Sequence, residues 1–366
     1  MGAGMRIVIV GASGNMGTAL LRRLADEPAV TAVTGLARRP PAATEAPYAG
    51  VDWVPCDLSV ESSAAVLRGC FTGADVVVHL AWEIQGSHDQ PRQWRTNVDG
   101  SGRVFAAARD AGVAHLVYAS SVGAYAPDES AGDGAVRRPE SWPVTGVPTA
   151  PYSRQKAAVE AMLDETEARG DMVVSRLRPG LIFQGGAGSQ IARYFLGPLV
   201  PTSLLRVLRL PVVPLPRGLQ MQAVHADDAA DAYARVIVRR AAGAFNIAAE
   251  PVIDTAVLAG VLGGRPLSVD PRVFRIAAAA TFQARLQPTE PGWLDLAMSC
   301  PLLATDRARH VLDWQPQISA TAALDELIAG MGRGAGTQSS AMRRREPAAG
   351  RISKVRSALG GRRSRR

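Results

Sequence analysis

The chain has 366 residues, 47% of them hydrophobic and 20% charged, enough for one large α/β unit and a smaller one with separate cores. No uninterrupted run of about 18 apolar residues and no basic-start, apolar, small-residue leader is present, so neither a bilayer span nor a secretory signal is expected. Cys56, Cys70 and Cys300 have neither metal-ligand spacing nor the even count of a disulfide framework, which points to reduced thiols in a cytoplasmic protein.

The formal charge of +8 is misleading as a guide to partners. Residues 333–366 hold eleven Lys and Arg against the single acid Glu346, leaving the rest of the chain at −2. With few large apolar residues, that stretch is expected to be a disordered, solvated basic tail with no specific nucleic-acid partner.

Along the first half, β-branched runs at 6–10, 30–36, 51–54, 76–80, 114–119 and 173–177 alternate with helical stretches at 16–26, 62–69, 97–111 and 152–169. The runs are too apolar for a half-exposed sheet, so the expected fold class is α/β: a doubly wound parallel sheet of Rossmann type. After Pro179 the texture changes to Gly- and Pro-punctuated apolar segments, with a strand near 243–247 and helices at 273–286 and 320–331. The expected division is a dinucleotide-binding domain at 1–180, completed by about 222–250. A smaller discontinuous substrate lobe follows at 181–221 and 251–332, ahead of the 333–366 tail. The apolar stretches 191–216 and 273–286 are either a cap for an apolar ligand or ordinary lobe packing.

Gly11-Ala12-Ser13-Gly14-Asn15-Met16-Gly17 follows a buried strand and opens a helix. Backbone amides and the positive end of the helix dipole there converge on one point, which suits a dinucleotide pyrophosphate. The second strand ends in Ala37-Arg38 with no acid for ribose hydroxyls, so Arg38 favours a 2′-phosphate and NADP over NAD, unless it is simply a solvated surface arginine. Asp57 either receives the adenine amine or caps a helix. His79-Leu80-Ala81 would line the adenosine and ribose side.

The chain has 39 arginines and two lysines, Lys156 and Lys354, and Lys354 lies in the tail. Lys156 stands four residues after Tyr152, on the same helix face. A phenol with a pKa near ~10 is a poor acid-base group at neutral pH unless a cation favours its phenolate. A compact ammonium supplies that field and also donates to ribose hydroxyls, which a planar guanidinium fits poorly. Upstream, Ser120-Ser121 ends a strand at the sheet edge where doubly wound folds bind ligands.

Taken in order, Gly11 to Gly17, Asp57-Leu58, His79-Leu80-Ala81, Asn97, Ser120-Ser121, Tyr152 to Lys156, Arg178-Pro179-Gly180 and Val224-His225-Ala226-Asp227-Asp228 resemble the extended short-chain dehydrogenase/reductase superfamily, the NAD(P)-dependent epimerase/dehydratase family, over about residues 5–330. The resemblance implies that Tyr152 is the acid-base and that Lys156 lowers its pKa and binds the nicotinamide ribose. It also implies that Ser121 hydrogen-bonds the reacting oxygen, that Asp57, Leu58, Leu80, Ala81 and Asn97 belong to the cofactor site, and that Pro179 and Leu181 lie near the nicotinamide. A homodimer through the 97–111 and 152–169 helices is implied as well. Asn97 is expected to open its helix.

Two departures narrow the chemistry. Val122-Gly123 stands where sugar-nucleotide dehydratases carry an Asp-Glu pair, and Arg178-Pro179-Gly180-Leu181 replaces the Arg-Tyr-Phe-Asn of many sugar-nucleotide epimerases. The resulting expectation is an NADP-preferring oxidoreductase that passes hydride between nicotinamide and a carbonyl or alcohol carbon of a small, apolar substrate. A sugar-nucleotide epimerase and a non-catalytic dinucleotide sensor are the alternatives. His79 and His225 share no ligand spacing and are read as structural, with no metal.

Overall fold

A computed structural model describes residues 4–84, 89–130, 136–195, 211–284 and 289–344. The six expected strands form as β1 (Met5–Val10), β2 (Val30–Ala37), β3 (Asp52–Pro55), β4 (Val76–His79), β5 (His115–Ala119) and β6 (Val173–Pro179). The late β7 (Gly243–Ile247) joins them in one seven-stranded sheet of order β7-β6-β5-β4-β1-β2-β3. Every neighbouring pair is parallel. The order reverses between β1 and β4, which opens a crevice at their carboxyl ends.

Period-two side-chain alternation explains why β1 reads as continuously apolar. Ile7 and Ile9 enter the core on one face, beneath α1 (Asn15–Ala25), while Val8 and Val10 enter the core on the other, with α2 (Ser63–Phe71), α3 (Gly100–Asp110) and α4 (Pro151–Glu167). On the first face α5 (Ala226–Arg239) lies beside α1 and contributes Ala229, Tyr233 and Ile237 to the same core.

The segment expected to be one helix from residue 97 begins earlier. A helix at Gln90–Trp94 is capped by the Asp89 side chain, which accepts from Arg92 N, and a π-helical turn at Arg95–Asp99 leads into α3. Asn97 therefore sits inside that turn rather than at a helix start, because its side chain is committed to tertiary hydrogen bonds.

Beyond β6, Leu181–Phe183 pairs with Ala223–His225, and Val212–Pro216 pairs with Arg265–Val269. A separate apolar cluster gathers Phe183, Ile253, Leu324 and Leu327. The helices here include α6 (Pro271–Gln283), α7 (Gly292–Ser299) and α8 (Ala320–Arg333). The apolar residues of α6 are not lobe core: none is buried, and Val273 and Ile276 are 57% and 70% exposed. Of the apolar stretch 191–216, residues 196–210 lie outside the described residues.

The tail departs from expectation. α8 ends on Gly334 in a left-handed conformation, and the chain folds back through Ala335 N to Gly330 O at 2.8 Å and Thr337 N to Met342 O at 2.8 Å. Ser339 and Met342 are fully buried. Ser339 Oγ donates to Ser13 O at 2.6 Å, and the Thr337 and Tyr48 hydroxyls meet at 2.8 Å. Residues 334–344 are thus an ordered strap over the glycine turn, held by partners some 300 residues away in sequence that composition does not register. The remainder of the expected tail, 345–366, lies outside the described residues. Among the described residues no helix is long and apolar enough to cross a membrane.

Candidate active site

The glycine turn is shaped by what its backbone touches. Gly11 has φ +93°, and a Cβ there would meet Ala81 N at 2.6 Å, so its glycine lets the end of β1 lie against the chain leaving β4. That chain is held by Leu80 N to Val10 O at 2.8 Å. A Cβ on Gly17 would meet Ala12 O at 2.5 Å, so this position closes α1 onto the turn. Gly14, the α1 N-cap, has no side-chain cap, and a Cβ there would meet only Gly11 O at 3.4 Å. The result is a cradle of amides at a helix N-terminus, which fits a dinucleotide pyrophosphate.

Only the backbone of several turn residues is available to such a group. The Asn15 side chain donates to Ile182 O at 3.1 Å and accepts from Gln184 Nε2 at 2.6 Å, tying the turn to Leu181–Phe183. Met16 is in the core, and Ser13 O receives Ser339.

Arg38 is exposed at the end of β2. Burial pushes the Asp57 carboxyl up, but the Ser59 amide and hydroxyl and the positive charges of Arg38 and Arg92 hold it below its usual value. Arg38 and Asp57 therefore face the same space, and Asp57 accepts Ser59 N at 2.9 Å. Leu58 is a core residue on which α3 packs through Gly100. At the other end, Pro179 is buried and Leu181 is 40% exposed.

The structure separates the two serines that sequence leaves side by side. Ser120 Oγ donates to Glu160 Oε1 at 2.5 Å, whereas Ser121 Oγ accepts Gly123 N at 3.0 Å and lies with the Tyr152 ring over Gly123. Gly123 is required by the tyrosine, since a Cβ there would meet Tyr152 Cε1 at 2.8 Å. The Tyr152 ring lies against Trp293 of α7, with centroids 5.0 Å apart and planes tilted by 34°. It meets Trp82 edge-on at 6.0 Å. Burial pushes its phenol up to about 12; the Ser121 hydrogen bond pulls down, and Cys300 adds to the rise.

Lys156 does not set that value. Its Nζ donates to Ala119 O at 2.6 Å and to Tyr118 OH at 3.2 Å, and lies 3.6 Å from the Trp82 ring centroid. Burial pulls the ammonium well below its ordinary pKa, against the opposing charge of Glu160. The expected depression of the phenol by Lys156 is therefore replaced by a rise, because here the ammonium is held by the end of β5 and by Trp82 while burial dominates at Tyr152.

Glu160, one turn beyond Lys156, is the anchor that sequence reasoning missed. Its carboxylate accepts Arg178 Nε at 2.8 Å and Nη2 at 2.9 Å, Arg176 Nη1 at 3.1 Å, and Ser120. Burial alone would raise its carboxyl, but Arg178, Arg176 and Ser120 hold it below the usual range. The repeat of four from Tyr152 through Lys156 to Glu160 was a readable signal. Asn97 is also a clamp rather than a cofactor contact: Oδ1 accepts Glu83 N at 2.7 Å, while Nδ2 donates to Glu83 O at 3.1 Å and Gln155 Oε1 at 2.8 Å.

Beside Tyr152 a pocket is lined by Glu83, Ile84, Gln93 and Gln155, with Glu290 and Trp293 closing it. That lining mixes Glu and Gln side chains with Ile84, Tyr152 and Trp293, and Trp82, Glu83, Glu290 and Trp293 carried no motif to mark them. His79 and His225 are held in the fold: His79 Nε2 meets Ser101 Oγ at 2.9 Å, and His225 caps α5 and contacts Glu326 at 3.0 Å.

A model of the NAD dependent epimerase/dehydratase family matches residues 7–248. The chain belongs to that family. It is 25% identical over 325 residues to an uncharacterized protein of Mycobacterium tuberculosis, a match covering 88% of this chain but only 29% of that relative. It is 30% identical over 140 residues to a uronate dehydrogenase of Pseudomonas putida, covering 37% of this chain and 49% of that protein. Among solved structures it is similar to a UDP-glucose 4-epimerase of Thermus thermophilus in complex with NAD, with TM-score 0.65, 20% identity, and coverage of 90% of this chain and 100% of that one. A dTDP-glucose 4,6-dehydratase of Streptomyces venezuelae with NAD bound gives TM-score 0.64 and 21% identity over 89% of this chain and 96% of that one. Both structural likenesses place the family fold: a parallel sheet between helices with the turn at its switch point.

Proposed function

We propose that this family member is an NAD(P)-dependent oxidoreductase, with NADP preferred, in which Tyr152 moves the proton at a substrate carbonyl or alcohol oxygen. The observation that carries this reading is the meeting of Ser121 Oγ and the Tyr152 ring over Gly123 at the carboxyl end of β5, one helical turn from the only lysine among the described residues. The bound nicotinamide would supply or accept hydride at its C4. The amides of Gly11, Ser13, Gly14, Asn15, Met16 and Gly17 would hold the pyrophosphate, Arg38 the 2′-phosphate, and Asp57, Leu58, Leu80 and Ala81 the adenosine side. Pro179 and Leu181 would flank the nicotinamide, and Lys156 would reach its ribose.

Burial raises the Tyr152 phenol to about 12, so it is protonated at neutral pH and can donate to a carbonyl oxygen. Ser121 accepts Gly123 N–H, so its own proton is directed at Tyr152 or at the substrate oxygen. Replacing Tyr152 with Phe should lower kcat by about 10²–10⁴ and leave the dinucleotide Kd within about twofold. Loss of both together would remove Tyr152 from this role. Family membership also admits epimerisation on the same residues, and turnover of a sugar nucleotide with constant nicotinamide absorbance would establish that instead. A homodimer through α3 and α4 belongs to the same reading, with sedimentation as its measure.

A further inference from the structure

The strap that follows α8 grips the glycine turn at two points. Ser339 Oγ accepts Ala341 N at 3.2 Å, so its single proton is left for Ser13 O, at 2.6 Å. Five residues beyond Ser13, in the first turn of α1, Thr18 Oγ1 meets the Tyr48 hydroxyl at 3.0 Å and Met342 Sδ at 3.5 Å, and the Tyr48 hydroxyl meets Thr337 Oγ1 at 2.8 Å. Ser339, Thr18, Tyr48 and Met342 are all buried. The two grips bracket Asn15, Met16 and Gly17, whose amides open α1, where a helix offers them no partner of its own. A peptide unit is planar, so holding the Ser13 carbonyl also fixes the Gly14 N–H, which donates to Gly11 O at 3.1 Å. The strap is itself anchored from the other side. Arg193, in the helix Gly188–Phe195, donates to Ala341 O at 2.8 Å and to Arg343 O at 3.0 Å, and Ser189 N donates to Ala335 O at 3.0 Å. Residues 334–342 carry no charged side chain, so what they supply at the turn is position rather than field.

We infer that Ser339 and Thr337 are positioning residues for the dinucleotide: the docked strap holds the turn in its binding shape, and docking and dinucleotide binding reinforce each other. The inference rests on the reading of the turn as a pyrophosphate site. Gly11-Ala12-Ser13-Gly14 is small and glycine-rich, so it has many conformations open to it when unsupported, and a ligand that must order it loses affinity. With the strap in place that ordering precedes the ligand. Linkage requires the reverse effect: a dinucleotide seated on the turn strengthens strap docking by the same factor. Ser13 and Thr18 flank the cradle for the pyrophosphate that NAD and NADP share, so the effect is common to both.

Calorimetry with NAD and with NADP on the full chain tests this. Ser339→Ala combined with Thr337→Val should raise both Kd values at least about fivefold, and by the same factor. In the unsubstituted chain, hydrogen exchange at the Thr337 and Met342 amides should slow at least about fivefold when dinucleotide is saturating. Should the double variant not fold, Ser339→Ala alone, with an expected rise of about threefold, decides together with the exchange measurement. A variant that melts at lower temperature yet binds both dinucleotides with unchanged Kd makes the strap purely structural and overturns the inference, as does exchange indifferent to dinucleotide. A rise confined to NADP also overturns it, by placing the strap's effect at the 2′-phosphate. Failure of the unsubstituted chain to bind either dinucleotide overturns the reading of the turn itself, a result distinct from any change between variants.

Discussion

The glycine turn and the Tyr152 pocket lie close along the carboxyl edge of one sheet, yet they are built by opposite means. The turn is seven consecutive residues whose work is done by amides, and what matters at Gly11 and Gly17 is the absence of a Cβ. The pocket is lined by side chains from four separate stretches: Glu83 and Ile84, Gln93, Tyr152 with Gln155, and Glu290 with Trp293. A site made of backbone fails when a side chain is added. One made of side chains fails when a supporting partner is removed, even one that touches no ligand.

Glu160→Ala should be the most damaging substitution, because it leaves Arg178 and Arg176 buried without their shared carboxylate. A cost of about 3–5 kcal/mol in unfolding free energy is expected, read by denaturant titration. A cost below ~1 kcal/mol would mean that the pocket does not depend on this anchor. Gly11→Ala tests the turn by the opposite route, forcing a Cβ toward Ala81 at φ +93°. The backbone conformation alone costs about 1–3 kcal/mol, and dinucleotide binding should be lost in calorimetry. If binding survived, the turn would be less dependent on close backbone approach than its geometry requires.

Arg38→Ala addresses a side chain at the rim of the backbone site. Its removal should weaken NADP about tenfold and leave NAD unchanged in fluorescence titration if, as proposed, the guanidinium meets only the 2′-phosphate. Equal weakening of both would assign Arg38 to Asp57 rather than to the cofactor. The smallest effect is expected for Ser339→Ala, which strips a buried donor from Ser13 O and should lower stability by about 1 kcal/mol in a thermal melt. No change would mean that the strap is carried by Met342 and Tyr48 alone.

The local pattern made the sheet and the turn readable, because each depends on residues a few positions apart: a continuous apolar run in β1 and glycines around one bend. The preference for Ser121 over Ser120 came from the family resemblance, and only the fold reveals that Ser120 is occupied by Glu160. Where the reading went astray, the deciding partner lay far along the chain. Asn97 looked like a helix cap until Glu83 and Gln155 were brought to it. The start of the basic tail looked like solvent-borne chain until Ser13 and Tyr48 supplied buried partners.

The sequence by itself determined the doubly wound class, the glycine turn and the residue types of the candidate centre, since periodicity and short-range spacing are conveyed by covalent neighbours. Only the tertiary structure decided the state of that centre: burial lifts the Tyr152 phenol to about 12, Trp82 and Ala119 hold Lys156, and two carboxylates face the pocket. Desolvation and charge at a point in space are sums over everything packed around it, and no local stretch of sequence contains that sum.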